Sequence, residues 1–425
     1  MQRPVLVVGA GLAGLTCARA LSAAGVPVRV LDAADAVGGR VRTDMVEGFR
    51  LDRGFQVLQT AYPEARRALD YGALELRPFE PGALVRVGGR FVRVVDPWRR
   101  PLGALASAFA PVGSLVDKLR TGSIRSRALR GSVDDVLARP AMTTRAFLAQ
   151  SGLSDAMVET FFRPFYAGIF LEDELRTSSR VFEFTFRMFA EGDVALPANG
   201  MQAIPDQLAS GLPGGSIRSG CASRHVAADH VILDDGSRID GQAVVIAVDA
   251  HALPSVLGDR AGPAPATKQV TQLHFAADRS PLPGRLLALG GDEHGPVNDL
   301  CVLSDVQPSY APAGQSLVSA SVVAPEHQAL EDDALESSVR AQLGRWFGTE
   351  PVARWRTLRL QRVIRALPEC PPDDAPMAKP ARLDAGLYIC GDHRHLPSIH
   401  GAMASGRLAA EAVLADLRQP TSNQT

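Results

Sequence analysis

The stretch VLVVGAGLAGLTCARALSAAGVPVRVLD, residues 5–32, decides the fold of this 425-residue chain. Val5–Val8 has the apolar pattern of a buried strand, Leu12–Ala24 that of a helix, and Val28–Leu31 that of a second strand. A strand, a crossover helix and a second strand in this order predict a βαβ unit with parallel strands. We therefore expect an α/β fold that begins with a Rossmann-type sheet.

Three glycines between the first strand and the helix form the pattern G-x-G-x-x-G. Gly9 permits a tight turn, Gly11 leaves room for a pyrophosphate against the backbone, and Gly14 lets the helix pack closely on the strand. The helix N-terminus favours the phosphate charge. Asp32 follows the second strand, where its carboxylate can accept hydrogen bonds from ribose hydroxyls and would repel the 2′-phosphate of NADP. The predicted contacts of this dinucleotide cradle are Gly9, Gly11, Leu12, Ala13, Gly14 and Asp32.

A second motif, GGRVRT, begins at Gly38. Gly39 offers a bare backbone, and the guanidinium of Arg40 has the fork geometry that binds two phosphate oxygens. Arg42 follows two residues later. At this distance from the glycine cradle the motif favours FAD over NAD, with Gly39, Arg40 and Arg42 as contacts.

A third motif lies near the other end of the chain, in LYICGDHRHLPSIHGAMASGRLAAE, residues 387–411. The predicted strand leads into Gly391 and Asp392, and Asp392 can accept a hydrogen bond from a ribityl hydroxyl. A helix is expected from Ala402 to Leu417. Its N-terminus, at Gly401, Ala402 and Met403, could direct N–H groups at the flavin atoms that become negative on reduction.

Together these motifs resemble the FAD-dependent amine oxidase superfamily. The blocks LDRGFQVLQTAYPEARRAL, from Leu51, and LPANGMQAIPDQLA, from Leu196, are also similar to its phytoene-desaturase-like branch. The resemblance is specific in the cofactor segments and vague elsewhere. It implies FAD contacts at Gly11, Asp32, Gly39, Arg40, Arg42, Asp392 and Met403, and an adenine contact near Ser223.

Three positions qualify the resemblance. Asp32 stands where the family more often has glutamate. His400 stands where smaller or amide residues are usual, and it would either contact the flavin or be a partly exposed loop histidine. Lys268 lies about two residues from the expected place of a lysine that flavin amine oxidases hold near the flavin, which counts against amine oxidation.

The resemblance implies a discontinuous FAD-binding domain, 1–80, 195–255 and 380–418, into which a mixed α+β substrate domain, 81–194 and 256–379, is inserted. Residues 419–425 are expected to form a disordered tail. The substrate domain holds nine aromatic residues in two stretches, which could line an apolar tunnel or simply form helix core. They are Phe161, Phe162, Phe165, Tyr166, Phe170, Phe182, Phe184, Phe186 and Phe189.

Composition excludes several other classes of protein. The net charge of -1 gives no basic surplus for nucleic acid. Five cysteines without a C-x-x-C pair argue against a metal site, a redox disulfide and a secreted framework. We see no signal peptide and no transmembrane segment, so a cytoplasmic location is expected. The apolar stretch between Trp98 and Arg120 could contact a membrane surface or cover a cavity.

These features predict an FAD-dependent enzyme that dehydrogenates a hydrophobic polyene or isoprenoid, with oxygen or a quinone as electron acceptor. No second G-x-G-x-x-G follows a later strand, so no NAD(P)H domain is expected. The alternatives are an amine or protoporphyrinogen oxidase on the same fold and, less favoured, a flavin-free binding protein like the Rab GDP-dissociation inhibitors. No catalytic side chain and no oligomeric state can be assigned from the sequence.

Overall fold

The computed structural model describes residues 3–100, 110–372 and 377–418. Its core contains a six-stranded sheet, parallel except for one edge strand. Val5–Val8 lies at its centre, with Val5 opposite both Val28 and Ala243. The strands in spatial order are Ile217–Arg218, Val28–Leu31, Val5–Val8, Ala243–Ile246, Leu387–Ile389 and Arg382–Asp384.

A seven-stranded, mainly antiparallel sheet forms the second core. Its strands in spatial order are Arg356–Pro368, Thr267–Ala277, Ser316–Val322, Val297–Val302, Leu287–Leu289, Gly82–Val87 and Arg90–Val95. Within the described residues there are also three small sheets: Ser223–Val226 with His230–Leu233 and Arg238–Asp240; Thr43–Val46 with Phe49–Asp52; and Leu58–Gln59 with Val194–Leu196 and Arg77–Pro78.

Helices cover both sheets. The α-helices are Leu12–Ala23, Pro63–Ala68, Leu115–Ala128, Val133–Leu137, Thr144–Gln150, Asp155–Met157, Arg163–Phe170, Ser179–Glu191, Ala203–Ser210, Leu253–Leu257, Leu303–Val306, Pro325–Gln328, Asp332–Phe347, Thr349–Ala353 and Ile399–Arg418. The described residues also form a π-helical turn, Val158–Phe162, and the 3₁₀ turns Ala250–Ala252, Gly258–Ala261, Pro308–Tyr310 and Asp392–Arg394.

The predicted α/β fold with a Rossmann-type sheet is confirmed. All strands of the six-stranded sheet come from the three segments assigned to the FAD domain, and all strands of the seven-stranded sheet from the substrate segments. The first and last helices also meet closely, because a Cβ on Gly406 would lie 2.1 Å from the carbonyl oxygen of Ala13. The domain boundaries remain a proposal, and the predicted tail at 419–425 lies outside the described residues.

Two features of the secondary structure differ from what the sequence predicted. The final helix begins at Ile399, three residues before Ala402. The 13-residue edge strand Arg356–Pro368 was not predicted at all.

Candidate active site

A single cavity of about 1460 Å³ brings most of the predicted contacts together. This volume exceeds the roughly 300–1,000 Å³ of an ordinary ligand pocket, so it has room for a cofactor and a substrate side by side. Asp32 and Asp392 both line it, which makes one continuous space from the glycine cradle to the C-terminal motif. The predicted contacts in its lining are Gly9, Gly11, Leu12, Ala13, Asp32, Gly39, Arg40, Ser223, Gly391, Asp392 and Ala402.

The glycine cradle has the geometry that its motif predicts. Gly9 has φ +113°, and a Cβ there would lie 2.5 Å from the carbonyl oxygen of Ala247. A Cβ on Gly11 would meet no protein atom within 4 Å and would instead occupy the cavity. Gly14 does not line the cavity; a Cβ there would lie 1.9 Å from the carbonyl oxygen of Gly9, so its role is helix packing. The space in front of Gly11 therefore fits a pyrophosphate.

Asp32 is fixed at the edge of the cavity by the backbone. One of its carboxylate oxygens accepts a hydrogen bond from the N–H of Ala10, and the other accepts one from Ala34 at 2.7 Å. The carbonyl oxygen of Asp32 accepts a hydrogen bond of 2.7 Å from Cys221, which brings the next strand alongside. Ser223, on that strand, lines the cavity too. This end of the cavity therefore suits an adenosine, which is the contact predicted for Asp32 and Ser223.

Arg40 and Asp392 form an ion pair across the cavity wall. Nη2 of Arg40 donates to Oδ1 of Asp392 at 2.6 Å, and Nη1 donates to the carbonyl oxygen of Ala366 at 3.1 Å. The guanidinium is therefore held by protein acceptors rather than presented as a free fork. Arg42 lies outside the lining and pairs with Asp35 at 2.8 Å on the surface.

The start of the final helix differs from the prediction. The helix begins at Ile399, so Ser398 accepts the hydrogen bonds of its first turn. The N–H of Gly401 donates to Oγ of Ser398 at 3.0 Å, and the N–H of Ala402 donates to the carbonyl oxygen of Ser398 at 2.9 Å. Gly401 is needed for close packing, since a Cβ would lie 1.8 Å from the carbonyl oxygen of Leu396. Met403 is fully buried in the core. Neither Gly401 nor Met403 lines the cavity.

The motif LDRGFQ supplies lining residues that the sequence analysis did not assign. Arg53, Gly54, Phe55 and Gln56 all line the cavity. Nε2 of Gln56 donates to the carbonyl oxygens of Arg40 and Arg53, each at 2.9 Å, and so ties this loop to the GGR motif. The similarity of the block that begins at Leu51 to the phytoene-desaturase-like branch was the signal that could have identified these residues.

Aromatic side chains form part of the cavity lining. Of the nine aromatic residues considered above, Phe182 and Phe184 belong to the buried core alone, so both the tunnel and the core interpretations hold in part. The seven that line the cavity are Phe161, Phe162, Phe165, Tyr166, Phe170, Phe186 and Phe189. Phe161 and Phe165 stack with ring centroids 5.6 Å apart.

Two basic residues singled out above have distinct surroundings. Lys268 lines the cavity, and its Nζ lies 2.8 Å from Oε1 of Glu369. His400 is 4% exposed and packs against both Tyr62 and Phe184, with its ring centroid 5.7 Å and 5.1 Å from theirs. It is therefore not a partly exposed loop histidine, and it does not line the cavity.

The cavity opens beside exposed apolar residues. Trp98, Leu115 and Leu119 line it, and their exposed fractions are 49%, 60% and 77%. The apolar stretch between Trp98 and Arg120 is only partly visible, because residues 101–109 lie outside the described ranges.

The described residues contain neither a membrane-spanning helix nor a cluster of metal ligands. None of their helices has both the length and the apolar character that crossing a bilayer requires. No group of three His, Cys, Asp or Glu side chains within 3–100, 110–372 and 377–418 is arranged to hold a metal ion.

Comparison with known proteins gives a consistent result. The family model described as flavin containing amine oxidoreductase matches residues 12–414. Putrescine oxidase of Kocuria rosea is 45% identical over 75 residues, which are 18% of this chain and only 16% of that enzyme.

Solved structures match almost the whole chain. A protoporphyrinogen oxidase-like protein of Exiguobacterium sp. 255-15 has 16% identity and a TM-score of 0.73, with 99% of this chain and 100% of that chain covered. An oxidoreductase of Methanosarcina mazei has 18% identity and the same TM-score, with 97% and 100% covered. At such identities the likeness is one of fold.

Proposed function

Because the chain belongs to the flavin containing amine oxidoreductase family, and is thereby an FAD-dependent oxidoreductase, we propose that it dehydrogenates an elongated hydrophobic substrate of the polyene or isoprenoid class. Family membership confirms the predicted cofactor and the class of enzyme. The phytoene-desaturase-like branch and the substrate are part of the proposal.

The residues of the cradle fit the cofactor. The open space in front of Gly11 accommodates a pyrophosphate, Asp32 offers carboxylate oxygens to a ribose, and Asp392 offers its second oxygen to the ribityl chain. FAD, when bound, supplies an acceptor for a hydride or its equivalent. The chain itself positions the substrate and keeps water from the reacting bond.

One observation carries the choice of substrate: seven aromatic side chains line the cavity beyond the cofactor motifs. Aromatic and aliphatic walls bind apolar surface and repel water, and each Å² of apolar surface buried contributes roughly 25 cal/mol. Such a wall suits a long hydrocarbon better than a polyamine. Removal of hydrogen from a polyene needs no strong protein base, because a substrate cation could lose its proton to the reduced flavin.

The electron acceptor in this proposal is oxygen or a quinone. The five cysteines are all buried and none is in a disulfide, so none forms a pair that could receive electrons from a flavin.

The test is an anaerobic titration of the purified holoenzyme, with the absorbance of bound FAD as the signal. Bleaching by a lipophilic polyene, and not by putrescine or spermidine, is the expected result. Bleaching by the polyamines alone would contradict the proposal. Purified protein that stays colourless with added FAD would instead favour a binding protein without flavin. Mass spectrometry of lipid extracted from the purified protein gives an independent view of the ligand.

A flavin amine oxidase is the second candidate. The position of Lys268 in the cavity wall weakens the sequence argument against it, and the similarity to putrescine oxidase favours it. A Lys268→Met variant distinguishes the amine oxidase from the polyene dehydrogenase. If amines are the substrates, the variant loses amine-driven bleaching but keeps its FAD; if polyenes are, polyene-driven bleaching changes little.

A further inference from the structure

A buried carboxylate without a cation lies in the wall of the cavity. Asp299 belongs to the strand Val297–Val302, is 2% exposed and lines the cavity. Its Oδ1 accepts a hydrogen bond of 2.8 Å from Oγ of Ser321, and its Oδ2 accepts one of 2.9 Å from Nδ2 of Asn298. Both partners are neutral, and within the described residues Asp299 forms no ion pair. Burial raises the pKa of its carboxyl to about 6, so the group is mostly ionised at pH 7.5.

An unpaired buried carboxylate is expensive in folding free energy, because two neutral hydrogen bonds replace only part of its hydration. A protein that needed only packing here would be more stable with an apolar residue. This cost in folding free energy therefore points to a ligand that donates a further hydrogen bond to the carboxylate.

The helix that packs against Asp299 is bounded by irregular backbone. The helix Arg163–Phe170 passes so close that a Cβ on Gly168 would lie 2.8 Å from Oδ2 of Asp299. This helix follows the π-helical turn Val158–Phe162 and is followed by Leu171, which has φ +55°. A left-handed non-glycine residue is strained, and such strain concentrates at binding sites. Gly168 and Leu171 both line the cavity.

Asp299 is well separated from the ion pair that Lys268 forms with Glu369. It lies opposite Ser321, and Ser321 lies opposite Gln272, four residues along the strand from Lys268. With ~4.8 Å between strands and ~3.3 Å per residue, the backbones of Asp299 and Lys268 are roughly 16 Å apart. Lys268 already has Glu369 as its partner, so it does not neutralise Asp299.

We propose that Asp299 and Ser321 form a polar anchor, at which a hydrogen-bond donor on the substrate, an ammonium or a hydroxyl group, is bound while the apolar body of the substrate lies along the aromatic wall. This inference rests on the proposed function and deepens it, because it defines the substrate class as a hydrophobic molecule with one donating end. Asp299 is a binding and specificity residue here, and no bond is made or broken at it.

The test measures binding to the holoenzyme by titration calorimetry at pH 7.5, with decylammonium, 1-decanol and decyl methyl ether as probes. All three probes have the same decyl group, but the ether has no hydrogen-bond donor. We expect the ammonium and the alcohol to bind at least about 10-fold more tightly than the ether. In Asp299→Asn the decylammonium affinity is expected to fall about 10- to 100-fold, as for loss of a charge-assisted hydrogen bond, with the ether unchanged.

Asp305→Asn is the matched control. Asp305 also has a carboxyl with a pKa raised by burial and a hydrogen bond from Ser280, but it does not line the cavity, so all three affinities should stay as in the wild type. Unchanged FAD content and melting temperature in Asp299→Asn exclude a folding defect. Equal affinity of the wild type for all three probes would overturn the anchor and leave the apolar cavity intact. Failure of all three to bind would overturn both.

Discussion

The guanidinium of Arg40 donates to the carboxylate of Asp392 at 2.6 Å and joins segments that are 352 residues apart in the chain. The side chain of Asp392 is only 8% exposed, whereas that of Arg40 is 36% exposed. The pair closes the cavity wall where the GGR motif meets the C-terminal motif. Each residue thus depends on the other for its position in the cavity wall.

We predict that Arg40→Ala weakens both the cofactor site and the fold. The variant leaves Asp392 buried without its cation, so we expect about 1–3 kcal/mol less free energy of unfolding and at least a 10-fold higher Kd for FAD. Urea denaturation of the FAD-free protein and titration with FAD measure the two effects. The control is Arg260→Ala, which removes an exposed pair with Asp384 at 3.1 Å and should cost less than about 0.5 kcal/mol. Unaltered FAD affinity in Arg40→Ala would contradict the assignment of this residue.

Gly11→Ala tests the pyrophosphate cradle without disturbing the protein. The new Cβ meets no protein atom and φ is -72°, so the free energy of unfolding of the FAD-free protein should change by less than about 0.5 kcal/mol. The same Cβ enters the cavity, and we expect the Kd for FAD to rise at least about 10-fold. Gly214→Ala is equally free of clashes but lies outside the cavity lining, so it should change neither quantity. If Gly11→Ala binds FAD as the wild type does, the cradle is misassigned.

Local patterns predicted the cofactor half of the fold because its determinants are local. The βαβ unit follows from periodicity and glycine chemistry within residues 5–32. The pairing of Arg40 with Asp392 could not be predicted in this way, since it depends on how two distant segments pack. The same holds for the start of the final helix, where Ser398 caps the N–H of Gly401 and moves the helix N-terminus toward Ile399.

The substrate half was less predictable for a physical reason. In the edge strand Arg356–Pro368, arginines recur every three residues, which hides the alternation that a strand normally shows. Three of them are neutralised by acidic residues from elsewhere in the chain: Arg356 by Glu47, Arg359 by Asp44 and Arg362 by Asp332. Asp299 gave no signal either, because a single aspartate in an apolar strand looks like any polar position.

His400 is predicted to make the protein sensitive to acid. Burial, with His395 and Arg407 nearby, lowers the pKa of its imidazole to about 3. The unfolded chain takes up a proton here below pH 6.5 and the folded chain does not, so stability is lost as pH falls. Between pH 7.5 and 5 the loss is about 2 kcal/mol. His400→Phe replaces the imidazole with a ring that can pack against Tyr62 and Phe184, and it should remove that loss.

Urea denaturation gives the free energy of unfolding of each protein at pH 7.5 and at pH 5. The loss between the two pH values in His400→Phe is then subtracted from the loss in the wild type, which cancels the contributions of other groups. The exposed His294 provides the control, since His294→Gln should keep the acid sensitivity of the wild type. Equal loss of stability in His400→Phe and in the wild type would show that the imidazole is protonated in the folded protein.

Leu119 is predicted to contribute to contact with a membrane surface. It is 77% exposed at the mouth of an apolar cavity, beside Leu115 and Trp98, and a hydrophobic substrate would enter from a bilayer most readily there. We expect Leu119→Glu to lower the fraction that sediments with phosphatidylglycerol vesicles about 3- to 10-fold, because a charge replaces inserted apolar surface. Met45→Glu changes a residue that is 61% exposed but not part of the cavity lining, and it should sediment as the wild type does. Equal sedimentation of both variants and the wild type would mean that the cavity mouth faces water.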